Sequence, residues 1–181
     1  MKSIFCTNSK KNTMKKIFTL LALTISFSMN AQTGNTSTGT EALFSIPTGS
    51  YNTANGYRAL YSNTTGYNNV ASGAYSLYSN TTGYSNNASG VGALEKNTTG
   101  NFNTASGYHS LFYNTIGTRN TAVGYQALND NVSGGQNGAF GYDALKNNTS
   151  GTLNNAFGHE ALFSNETGQY NSAFGHEALK S

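Results

Sequence analysis

The stretch NTAVGYQALNDNVSGGQ (Asn120–Gln136) runs without a gap into NGAFGYDALKNNTSGTL (Asn137–Leu153) and then into NNAFGHEALFSNETGQY (Asn154–Tyr170). Working outward, glycines recur at 56, 73, 90, 107, 124, 141, 158 and 175, always seventeen residues apart. Leucine follows four residues later every time, at Leu60, Leu77, Leu94, Leu111, Leu128, Leu145, Leu162 and Leu179. A second glycine series stands at Gly66, Gly83, Gly100, Gly117, Gly134, Gly151 and Gly168, preceded by Gly49. The unit reads NxAxGxxAL followed by xxNTTGxx. Gly39 and Leu43 extend the period backward with looser matching.

Eight copies without one insertion require every copy to occupy the same environment, as the rungs of a solenoid do. Alternation at period two through Asn, Ala and Gly marks a short strand with a small-residue face turned inward. Small inward residues imply close approach of another backbone. The fold class expected is therefore all-β, a parallel β-solenoid. Stacked rungs place each Asn over its counterpart about 4.8 Å away, which allows amide ladders. The glycines of the second series, with the neighbouring asparagines, are expected to form tight turns where positive φ is cheap. The YxAL segment is open between a second strand and a single helical turn.

Each rung then carries inward about one Leu and two small side chains. At ~2 kcal/mol per buried Leu, this is little against ~1–2 kcal/mol of backbone entropy for each ordered residue. Something else should cover the roll. The residue before each glycine of the first series reads Asn55, Ser72, Ser89, Ser106, Val123, Phe140, Phe157, Phe174. In a strand it points away from the Ala face. On the same side, two along, stand Tyr57, Ala74, Val91, Tyr108, Tyr125, Tyr142, His159 and His176. Val123, Phe140, Phe157, Phe174, Tyr125 and Tyr142 are the candidate oligomer seam, because an exposed stripe of this size is unusual on a monomer.

Composition agrees with a turn-rich β structure: 36% hydrophobic, 9% charged, one Pro and no Trp in 181 residues. Amphipathic helices would need more charge at regular spacing, and collagen needs Gly every third residue. The formal charge of +3 is concentrated at the N-terminus. Beyond Lys16, five basic residues (Arg58, Lys96, Arg119, Lys146, Lys180) face seven acids, so the body carries 5 − 7 = −2. No basic patch remains, so nucleic-acid binding by phosphate neutralisation is not expected.

The chain divides into three parts. Residues 1–31 read as a leader: Met14-Lys15-Lys16, the apolar run IFTLLALTISF, and SMNAQ with Ala31 at the cleavage site form a secretory signal peptide starting at Met14. The run is too short to span a bilayer, which takes ~20 residues. Cys6 lies in this leader, so the mature chain has no cysteine and stability must come from ladders, packing or association. Residues 32–48 are expected as an irregular N-terminal cap. Residues 49–181 form the array of about eight rungs, the last incomplete.

The motifs NTAVG (Asn120–Gly124), NNAFG (Asn154–Gly158) and NSAFG (Asn171–Gly175) resemble the head repeats of trimeric autotransporter adhesins, the YadA-like family. The likeness covers residues 49–181. It implies a left-handed parallel β-roll, a homotrimer, and a position before the motif glycine that faces the trimer interior, here Val123, Phe140, Phe157 and Phe174. It also implies a secreted or cell-surface module that binds host proteins or glycans by multivalent contact. The departures are a repeat a few residues longer than the family's, and no heptad stalk, basic neck or C-terminal membrane barrel in this sequence. Anchoring to an outer membrane would need another element.

No enzyme activity, cofactor or metal is expected. No His and Asp recur with the serines as a triad requires. Asp130 and Asp143 are the only aspartates, which excludes the calcium-binding nonapeptide roll. His159-Glu160 and His176-Glu177 never reach the second His of H-E-x-x-H. One rung apart, these imidazoles would stack or stay solvated, with metal binding or pH sensing the sharper alternative. Two rival functions remain: a structural fibre segment, and an ice-binding solenoid built on Thr64-Thr65, Thr81-Thr82 and Thr98-Thr99. Against the second, adjacent threonines cannot both project from one flat strand face.

Overall fold

A computed structural model describes residues 34–45 and 48–181. The leader and its cleavage site lie outside the described residues. Nine three-residue strands form one parallel sheet in chain order: β1 (Thr36–Thr38), β2 (Thr53–Asn55), β3 (Val70–Ser72), β4 (Asn87–Ser89), β5 (Thr104–Ser106), β6 (Thr121–Val123), β7 (Gly138–Phe140), β8 (Asn155–Phe157) and β9 (Ser172–Phe174). Each residue pairs with the one seventeen further on, as Ala105 does with Ala122. The chain is a parallel β-solenoid of about eight turns. β1 falls inside the segment expected to be irregular, and pairs in the same register with β2.

Between strands the backbone keeps bonding rung to rung. Leu111 N–H donates to Ala127 O at 3.0 Å, and Thr115 N–H to Val132 O at 3.1 Å. The YxAL segment is neither strand nor helix but a run of tight turns. Three positions per rung beyond the glycine series take positive φ, filled by non-glycine residues except where Gly92 stands; in one rung they are Phe102 (58°), His109 (51°) and Leu111 (51°). A left-handed L-residue costs roughly 1–2 kcal/mol. The inter-rung hydrogen bonds on both sides, and burial of the leucine, offset that cost.

The core is thin, as the small inward residues require. Leu60, Leu77, Leu94, Leu111, Leu128 and Leu145 are fully buried and Leu162 nearly so, packed with the strand alanines and a second alanine series. Leu179 departs from the expectation: it is 59% exposed in the last of the described rungs. Leu111→Ala should lower stability by about 2–3 kcal/mol through lost burial and a residual cavity. Urea unfolding followed by circular dichroism measures this.

The rest of the interior is mostly amide, with Ser76 and Ser110 also fully buried. Asn52, Asn69, Asn86, Asn103, Asn120, Asn137 and Asn154 stack as one buried column, and Asn63, Asn80, Asn97, Asn114, Asn131 and Asn148 as another. Asn103 Nδ2 donates to Asn86 Oδ1 (3.1 Å) and to Gly117 O (2.8 Å). Its Oδ1 accepts from the Asn120 backbone N–H (3.1 Å) and from Asn120 Nδ2 (3.3 Å). Asn114 Nδ2 donates to Asn97 Oδ1 (2.8 Å) and to the same Gly117 O (3.1 Å). The two columns thus converge on one glycine carbonyl per rung, which is how so much polar surface is buried without loss.

This convergence corrects the role of Gly66, Gly83, Gly100, Gly117, Gly134, Gly151 and Gly168. None has positive φ. They are glycines because a Cβ would drive into the asparagine Oδ1 three residues before, and, for all but Gly168, into the glycine carbonyl of the next rung. Positive φ among the regular glycines belongs to the first series, Gly56 to Gly175.

Candidate surface site

The strand's middle residue is buried and its two flanking residues face out, by the alternation of a β-strand. In β6–β9 the outward position before glycine holds Val123, Phe140, Phe157 and Phe174. Phe140 is half-buried; the others are 38%, 36% and 69% exposed respectively. Phe140 stacks on Phe157 at 4.5 Å and Phe157 on Phe174 at 4.9 Å, both with planes 6° apart. Beyond the glycine a second column runs Tyr108–Tyr125–Tyr142–His159–His176, with centroids 4.9–5.4 Å apart and planes within 10°. Seventeen-residue register alone creates both columns, since it places equivalent side chains one rung apart.

This packing has a chemical consequence. Rings stacked along the roll cover one another's faces and turn their edges to solvent. A sugar binds aromatic residues by laying its C–H face on an open ring face, and inside these columns no face is open. Ring edges suit interdigitation with another regular protein surface instead.

The N-terminal half of the strand face is different. Thr36, Thr38, Thr53, Asn55, Ser72, Asn87 and Ser89 make it uncharged, largely polar and exposed, with Val70 the apolar exception. On the turn surface, Phe44, Tyr61 and Tyr78 stack at 5.0 and 5.2 Å beside the Arg58–Glu41 ion pair. In the NTTG turns the first threonine of each pair spends its hydroxyl on the next rung, while Thr65, Thr82 and Thr99 are exposed. Thr64 Oγ1 donates to Thr81 O (2.9 Å), Thr81 Oγ1 to Thr98 O (3.1 Å) and Thr98 Oγ1 to Thr115 O (3.0 Å).

Charged groups are few, and most of them are paired. Lys146 Nζ meets Asp143 Oδ2 at 3.0 Å, while the other Asp143 oxygen is buried without a partner among the described residues. Burial pushes the nearby Asp130 carboxyl up and the His109 imidazole down. Lys180 bonds both Glu160 and Glu177, and its hydrogen bond holds the Glu177 carboxyl below its ordinary range. Among the described residues, no helix is long and apolar enough to cross a membrane.

Fold and surface together define an all-β repeat protein whose exposed face is a set of stacked side-chain columns. No protein-family model, curated protein or solved structure matches the chain.

Proposed function

We propose that this chain is an exported, adhesin-head-like module: a left-handed β-roll that associates as a homotrimer and presents a rigid repetitive surface for multivalent binding. It acts outside the cell or at its surface, with any outer-membrane anchor supplied by another element, and carries out no catalysis. The observation that supports this reading is the outward column of Val123, Phe140, Phe157 and Phe174 beside Tyr125 and Tyr142. A seam there buries ring edges that a monomer leaves in water, and relieves the thinness of the single-roll core. The seam is confined to β6–β9, where the face is apolar. Protein or glycan ligands then meet the remaining polar surfaces.

Light scattering on a sizing column tests this. The chain should run as three copies, and the combined variant Phe140→Ser, Phe157→Ser, Phe174→Ser should run as one copy with an unchanged circular dichroism spectrum. A monomeric wild-type protein sinks the trimeric head.

A second reading has its own support. The outward face of β1–β4, rich in Thr, Ser and Asn, is a better ice-facing surface than the NTTG turns, whose first threonine hydroxyls are already spent. Inhibition of ice recrystallisation by a monomer would favour it. Assembly without adhesion to any host protein or glycan would favour a structural fibre.

A further inference from the structure

His159 and His176 occupy equivalent positions in successive rungs, two residues beyond the paired strands β8 and β9. One ligand atom from each, with one from the Glu177 carboxylate, lie within 4.8 Å of one another, and all three residues are exposed. We propose that His159, His176 and Glu177 bind one divalent transition-metal ion of the Zn2+, Ni2+ or Cu2+ type. The sequence motif H-E-x-x-H is missing because that spacing serves a helix. In a solenoid the next rung supplies the second imidazole.

The donor set decides the class of ion. Two neutral imidazoles and one carboxylate suit borderline metals. Calcium needs six to eight oxygens, and magnesium keeps an oxygen octahedron; neither is offered here. The backbone ladder fixes the separation of the two histidines, so little order is lost on binding.

Two local interactions oppose the ion. The imidazoles stack 4.9 Å apart with planes 7° apart, so their in-plane lone pairs run side by side. One ring must turn about its side-chain bonds to aim both nitrogens at one point, and solvent on the exposed side leaves room for that turn. Tyr142, stacked on the other face of His159 at 5.1 Å, makes His176 the freer ring. Lys180 is the second opponent, because its ammonium bonds the Glu177 carboxylate at 2.8 Å and also holds Glu160. Glu160, 3.9 Å from His159 Nδ1, adds negative charge beside the site. A metal ion therefore displaces Lys180 from Glu177. All three ligands come from one chain, so the site needs no second copy to be complete.

Isothermal titration of the untagged protein with Zn2+ alone is the test. One equivalent per chain should bind. His159→Ala or His176→Ala should weaken binding by roughly tenfold or more. Lys180→Gln should tighten it by releasing Glu177, whereas Glu177→Gln should weaken it. His109→Ala removes the remaining histidine, which belongs to another part of the surface, and should change nothing. Imidazole NMR signals of His159 and His176 should shift on addition of Zn2+, with circular dichroism unchanged. Absence of saturable binding, or binding indifferent to loss of both His159 and His176, overturns the site.

Discussion

Asn103→Ala should lower stability by about 4 kcal/mol, more than truncating a core leucine. The substitution leaves the buried backbone N–H of Asn120 without its acceptor. It also removes one of two donors from Asn86 Oδ1, which keeps the residue-103 backbone N–H, and from Gly117 O, which keeps Asn114 Nδ2. The orphaned N–H costs ~1–3 kcal/mol, each further hydrogen bond lost about 1 kcal/mol, and the vacated volume adds to that. Asn103→Asp separates the two halves of the amide. It keeps the acceptor for Asn120 but aims an anion at two oxygens in a water-free column. Burial raises the folded-state pKa of such a carboxyl above its unfolded value of about 3.9. Stability from the protonated, donating form is then fully present below the unfolded pKa, and is lost as pH rises through the folded one. Asn103→Asp should therefore be better folded near pH 4 than at pH 7, relative to wild type. Urea unfolding at both pH values checks this. Hydrogen exchange should show the rungs around Asn86 and Asn120 opening first, because a repeat array loses cooperativity locally. Equal destabilisation at both pH values would mean that the column is hydrated in solution.

Gly124→Ala should cost about 4 kcal/mol or more, while Gly138→Thr should be neutral or mildly stabilising. At Gly124 the φ of 134° belongs to a region that L-residues rarely adopt. A Cβ there would collide with the carbonyl of Gly141, which is backbone and can yield only if two rungs separate. Gly138 stands in β7 with ordinary φ and faces outward; a Cβ there crowds only the Asn155 side chain, which can swing away, and meets Phe140 Cε2 at an ordinary contact of 3.5 Å. Thr104 and Thr121 already fill that position in neighbouring rungs. The pair isolates steric stacking from residue type. Thermal unfolding by circular dichroism should show a large fall in Tm for the first variant and none for the second. A comparable fall in both would show that the glycine positions are not set by rung-to-rung contact.

The period of seventeen, read from Gly124, Leu128 and their counterparts, determined the parallel register, because in-phase copies without insertions can stack in only one way. It placed Leu60 to Leu162 inside and aligned Phe140 with Phe157. It also allowed an asparagine column, since a primary amide both donates and accepts along a stack. The same reading assigned positive φ to Gly117 and its series, and missed that Asn114 and its counterparts are buried. Residue preferences are local; here the deciding forces are not. The left-handed turns fall on Phe102 and Leu111 as well as His109, and the preferences of the first two argue against them. Hydrogen bonds to the rungs above and below, formed only once the array is stacked, outweigh a cost of ~1–2 kcal/mol at each. Gly117 is a glycine because two amide columns meet on the carbonyls of its series, and no single rung contains that meeting point. Likewise His159 and His176 become neighbours only through the stack. The repeat was written in the chain, whereas the identity of its turns and the company of its polar groups came from the next rung.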